Sequence, residues 1–77
     1  MTDTSAQWAR LRSPADLGAA LRDARIDAQL SQEALADELG FDRRVLQRIE
    51  TGEPNLYINR VFALLARLDL ALEVRAR

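Results

Sequence analysis

The stretch from Ser31 to Gly52, SQEALADELGFDRRVLQRIETG, constrains the fold of this chain more than any other part of it. Apolar residues recur there at helical spacing in two short blocks. Leu35, Ala36 and Leu39 mark the first, and Val45, Leu46 and Ile49 the second. Ser31 is placed to N-cap the first helix, with Glu33 favouring the positive end of its dipole. Gly40 supplies a residue free to take positive φ, which a sharp turn between two helices demands. Asp42 is placed to cap the second helix, which carries Arg43, Arg44, Gln47 and Arg48.

A chain of 77 residues makes one small domain, near the lower limit for a self-sufficient core. With 48% of its residues apolar it should fold, and a core shared with a second copy would help. Cysteine and histidine are both absent, which removes disulfides, thiolate and imidazole metal ligands and the commonest general base. No glycine-rich phosphate loop is present, and Asp23, Asp27, Asp37 and Glu38 read as solvated helix charges. The expectation is therefore no enzyme, no cofactor and no metal. Neither a secretory leader pattern nor an apolar run of membrane-spanning length is seen, so a cytoplasmic protein is expected.

A net charge of −1 is low for a nucleic-acid binder, but it is unevenly spread. Residues 1–42 carry 8 acids and 4 arginines, whereas residues 43–77 carry 4 acids and 7 arginines. Positive charge is thus concentrated on and after the second helix, and any affinity for phosphates would rest on that local patch. All 11 basic residues are arginine. Arginine forks suit guanine edges and phosphates, although the bias of a GC-rich genome explains the same preference.

Residues 1–12 read as a loosely held arm, in which Trp8 is too large to leave exposed cheaply and is expected against this domain or a partner. Ser13-Pro14 starts the first helix, with Asp16 in its first turn. That helix is expected to run to about residue 28, burying Leu17, Ala20, Leu21 and Ala24. After helices over 32–39 and 43–50 and a loop at TGEPN, a further helix is expected over 56–68, burying Val61, Leu64, Leu65 and Leu68, with Ile58 and Phe62 close to that face. In DLALEVR the period changes, because Leu70, Leu72 and Val74 alternate with other residues at strand spacing. The same segment could instead extend the last helix. A single strand needs a partner for its backbone groups, and the only other candidate is a short piece around Trp8–Leu11. The economical solution pairs residues 70–75 with their own copy across a homodimer, giving a dimerisation surface of Leu70, Leu72 and Val74.

Two short helices joined by a glycine turn are the layout of a helix-turn-helix. Ser31-Gln32, Leu35-Ala36, Gly40, Ile49-Glu50 and Gly52 resemble the phage-repressor-like (Cro/repressor, XRE-type) helix-turn-helix family over residues 15–68. Ser13-Pro14, Phe62-x-x-Leu65-x-x-Leu68 and the terminal Leu70–Val74 segment are similar to one branch, the HipB-like antitoxins. The resemblance implies a mainly α, four- to five-helix lambda-repressor-like domain over residues 13–68, followed by a dimerisation strand and tail over 69–77. It further implies a homodimer that binds a palindromic operator in double-stranded DNA, represses its own operon and binds a kinase-like toxin.

Carried over by position, Gln32 would contact the DNA backbone or an operator-edge base, and Arg43, Arg44 and Arg48 would reach into the groove. An arginine there can grip guanine O6 and N7, contributing about 1–3 kcal/mol of discrimination. Arg48 could equally hold a phosphate. Val45 could touch a thymine methyl or pack on the preceding helix, and Gln47 could meet base or phosphate. Arg60 is a candidate phosphate clamp or an ordinary surface arginine. The resemblance makes Arg25 and Glu50 a partly buried ion pair tying the first helix to the end of the third, and Trp8 is a candidate toxin contact. Two other readings stay open: a stand-alone XRE-type repressor, and a protein-interaction module on a helix-turn-helix scaffold.

Overall fold

The computed structural model describes residues 8–75 and 77. Residues 1–7, most of the expected arm, and the side chain of Trp8 with its expected partner contact lie outside what is described. The elements are β1 (Trp8–Leu11), α1 (Pro14–Asp27), α2 (Gln32–Leu39), α3 (Arg43–Thr51), α4 (Leu56–Arg67) and β2 (Leu72–Arg75).

Local chemistry explains most of the boundaries. The Ser13 Oγ accepts from the Asp16 amide at 3.1 Å, Pro14 opens α1, and Asp16 reaches back to accept from the Arg12 amide at 2.8 Å. Together these satisfy amides that the start of a helix otherwise leaves without partners. The Ser31 Oγ caps α2 through the Ala34 amide, and Asp42 caps α3 through the Arg44 amide. Asn55 caps α4 by accepting from both Tyr57 and Ile58. Helices α2 and α3 end at Gly40 (φ 75°) and Gly52 (φ 72°), where the left-handed conformation lets the chain turn back on itself. Gln29 and Asp69 take the same conformation after α1 and α4 without being glycine.

The helices assemble around α3. Helix α1 crosses it at Gly18, where a Cβ would collide with the Ile49 and Glu50 carbonyl oxygens. Only glycine lets the two backbones come this close. Leu46 and Glu50 of α3, Ala36 of α2, Phe62 of α4 and Leu11 of β1 are the buried side chains among the described residues.

Three expectations are corrected here. The C-terminal strand begins at Leu72, leaving Leu70 outside it and 57% exposed, and its partner is β1 of the same chain. The pairing is antiparallel, with Trp8 opposite Arg75, Ala9 opposite Val74, Arg10 opposite Glu73 and Leu11 opposite Leu72. A second subunit is therefore not required to satisfy that edge of β2. For the same reason the end of the expected arm is an integral strand, anchored by Leu11 at 4% exposure. Finally, the buried faces of the helices are narrower than those expected, with Leu17, Ala20, Val61 and Leu65 half-buried as expected. Leu21, Ala24, Leu39, Leu64 and Leu68 are exposed, while α4 turns Phe62, with Ile58, Val61 and Leu65 half-buried, toward the core.

Candidate nucleic-acid interface

Helix α3 divides cleanly between an inner and an outer side. Leu46 and Glu50, one turn apart, point inward and are buried, Arg44 and Arg48 lie on the opposite side, and Arg43 and Gln47, three residues before Leu46 and Glu50, are exposed along the flank between them. The three arginines and Gln47 are thus displayed together along a helix little more than two turns long. Arg44 lies beside its own cap, with Nε 3.5 Å from Asp42 Oδ1, and Arg48 lies 3.6 Å from Glu53. Both pairs are solvent-exposed and give way easily to a competing phosphate or base. Arg43 has no carboxylate within ion-pair distance among the described residues. The Arg44 amide and guanidinium hold the Asp42 carboxyl below its usual range.

Behind the exposed side lies the group that fixes α3 in place. The Glu50 carboxylate, with its side chain 2% exposed, accepts from Arg25 Nε at 2.7 Å and from Arg25 Nη2 at 3.0 Å. This is a bidentate fork. The third guanidinium nitrogen, Nη1, donates to the Leu30 carbonyl oxygen at 2.8 Å, so one arginine ties α1, the α1–α2 turn and α3 together. Hydrogen bonding from Arg25, opposed by burial, holds the Glu50 carboxyl below its usual range, and the same bond keeps Arg25 charged. The pair implied by the resemblance is thus present.

Gln32 has a role that the residue pattern did not signal. Its Nε2 donates to Glu50 Oε1 at 3.0 Å, so the side chain at the start of α2 joins the network that positions α3. Nor did the sequence single out Gly18; the only sign was a glycine placed inside an otherwise regular helical segment. Val45 does not pack tightly on α2. It is 43% exposed and, with Leu17, Arg48, Ile49 and Ile58, lines an open cavity of about 550 Å³ between α1, α3 and the start of α4. Arg60 is exposed on α4 and forms no hydrogen bond or ion pair with α3 among the described residues. Leu72 and Val74 lie in β2, apart from the α3 surface.

Two helices turning sharply at Gly40, the second displaying arginines, define a helix-turn-helix. The chain belongs to the helix-turn-helix domain family, which matches residues 16–77. It is 33% identical over 67 residues to an uncharacterized HTH-type transcriptional regulator of Sinorhizobium fredii, covering 87% of this chain and 88% of that protein. It is 40% identical over 55 residues to an HTH-type transcriptional regulatory protein of Methanococcoides burtonii, covering 71% of this chain but 17% of that one. No solved structure matches it significantly. Among the described residues no helix is long and apolar enough to cross a membrane, and no cluster of three or more potential metal ligands occurs.

Proposed function

We propose that the protein is a sequence-specific DNA-binding transcriptional repressor that inserts α3 into the major groove of an operator. One observation carries this reading: Arg44 and Arg48 on the outer side and Arg43 on the adjoining flank are exposed on a helix whose inner side is locked to α1 by Gly18 and the Arg25–Glu50 fork. A rigidly held reading helix lets each arginine meet a defined base edge, whereas a scaffold serving only protein contacts has no need of them. Arg43 and Arg44 lie in the first turn, where base contact is closest in this docking mode. Arg48 and Gln47, one turn on, read a base or hold the flanking backbone. Val45 supplies apolar contact and Arg60 grips a phosphate. The names of the two relatives, both HTH-type regulators, support the regulatory role.

The repressor acts as a homodimer on a palindromic site with half-sites roughly 34 Å apart. The far edge of β2 is unpaired among the described residues, and antiparallel pairing of two copies centred on Val74 would set Glu73 of each beside Arg75 of the other. Its finer role is that of an antitoxin binding a kinase-like toxin; Ser13-Pro14, the Phe62–Leu68 spacing and the terminal strand support this. Selection from a pool of random duplexes tests the main reading. An enriched palindrome of that spacing is expected, and an unenriched pool would refute it. Co-purification with the product of the adjacent open reading frame tests the antitoxin role, and failure of the two proteins to associate would remove it.

A further inference from the structure

The open cavity between α1, α3 and the start of α4 has a volume of about 550 Å³, within the range of small-molecule sites, about 300–1,000 Å³. Leu17 of α1, Val45 and Ile49 of α3 and Ile58 of α4 give it apolar walls. Val45 is 43% and Ile49 39% exposed, so an apolar occupant gains by removing both from water. The polar side chains lining it are Arg48, Glu53 and Asn55, and two of these favour an anion. Arg48 faces Glu53 at 3.6 Å across an exposed pair. That is too long for a hydrogen bond, so a second carboxylate displaces Glu53 at little cost. Asn55 has its Oδ1 committed to the Tyr57 and Ile58 amides, which leaves Nδ2 to donate. As the N-cap of α4 it also stands at the positive end of that helix's dipole.

We propose that this cavity takes a small apolar monocarboxylate, its body against Leu17, Val45, Ile49 and Ile58 and its carboxylate held by Arg48 and the Asn55 Nδ2. The walls come from three elements that converge on one concavity, which suits a compact ligand better than an extended polypeptide. An ammonium in the same place would meet the charge of Arg48 and the α4 dipole, with Glu53 alone to balance them. A consequence for DNA follows, and it rests on the reading of α3 proposed above. Arg48 and Val45 cannot serve ligand and operator at once, so each ligand excludes the other and the carboxylate acts as an inducer.

The test titrates the full chain, isotope-labelled and free of DNA, with phenylbutyrate and with phenylbutylamine at matched ionic strength. Amide NMR should show saturable shifts of Val45, Arg48, Ile49 and Ile58 with the acid, and at least about tenfold weaker binding of the amine. Arg48→Gln should remove that preference. Val45→Phe, which fills the cavity from its exposed side, should weaken binding of the acid at least about tenfold while the spectrum keeps its dispersion. No shifts at these amides, or equal binding of acid and amine, overturns the proposal. So do shifts of the same amides on dilution of the protein without probe, since a second copy would then occupy the cavity. Phenylbutyrate added to the wild-type DNA complex should weaken operator binding at least about tenfold, and unchanged affinity at saturating acid overturns the role of inducer. Because the titration contains no DNA, failure of the site is separable from failure of the DNA-binding reading.

Discussion

Replacing Glu50 with Gln tests whether α3 is held in place by charge as well as by packing. The substitution keeps size and shape but removes the negative charge facing the Arg25 guanidinium in a site where the Glu50 side chain is 2% exposed. Removing one partner of a buried pair strands the other, at a cost of about 3–5 kcal/mol in deep sites. The cover over this site is a single layer of helices, so the low end, about 3 kcal/mol, is expected. A 77-residue domain has on the order of 4–12 kcal/mol in total, so this is a substantial fraction. At about 4–8 °C per kcal/mol for a domain of this size, the melting temperature should fall by roughly 12–24 °C. The dependence on pH gives a second readout. The Glu50 carboxyl is held below its ordinary value of 4.5, so its stabilisation is fully present above that value and is lost as pH falls through the lower, folded value. Asp42, lowered by its bonds with Arg44, works in the same direction but is common to both proteins. The gap between wild type and Glu50→Gln should therefore narrow below about pH 4.5. A melting temperature within about 3 °C of wild type at pH 7, or a gap unchanged on acidification, would refute the reasoning.

Other substitutions probe the frame around this pair. Gly18→Ala gains about 1 kcal/mol of helix propensity but drives a methyl into the Ile49 and Glu50 carbonyls, so thermal melts should show a net loss of roughly 1–2 kcal/mol. Gln29→Gly relieves a left-handed residue at φ 60° and should raise the melting temperature by a few degrees, about 0.5–1 kcal/mol; a fall would mean that the side chain stabilises the turn. Leu11→Ala should cost about 2–4 kcal/mol in urea unfolding, whereas Leu68→Ala, at a position 60% exposed, should cost under about 1 kcal/mol. The reverse order would contradict the orientation of α4.

What could be read from the sequence was what depends on neighbours a few residues away. Ser13, Ser31 and Asp42 cap helices from their own first turns, and Gly40 and Gly52 end helices by their own φ, so spacing alone revealed them. The Arg25–Glu50 fork spans 25 residues and was accessible only through the family resemblance. Which stripe of a helix becomes buried was harder still. Helical periodicity marks Leu64 and Leu68 as one face, but their exposure depends on how α4 meets the rest of the fold, with Phe62 turned inward. Strand β1 is four residues with little alternation, so although Trp8–Leu11 stood as a candidate strand, nothing local favoured its pairing with β2, more than sixty residues away, over a second copy. The exposed arginines of α3 were placed by the family resemblance, whereas of the expected apolar block only Leu46 is buried, Val45 and Ile49 being exposed at 43% and 39%, and the second inward residue is the charged Glu50.

The central claim is that α3 reads bases through its arginines, and Arg44→Ala on DNA tests it most directly. Binding of wild type and variant would be titrated at fixed near-physiological salt against the duplex upstream of the gene, single-base-pair variants of that duplex and random DNA. The account expects selective wild-type binding and a variant that loses about 1–3 kcal/mol of discrimination at one base pair, with a much smaller loss on random DNA. Equal losses on every sequence would reduce Arg44 to a phosphate contact. A wild-type protein with no preference among the duplexes would contradict the account altogether.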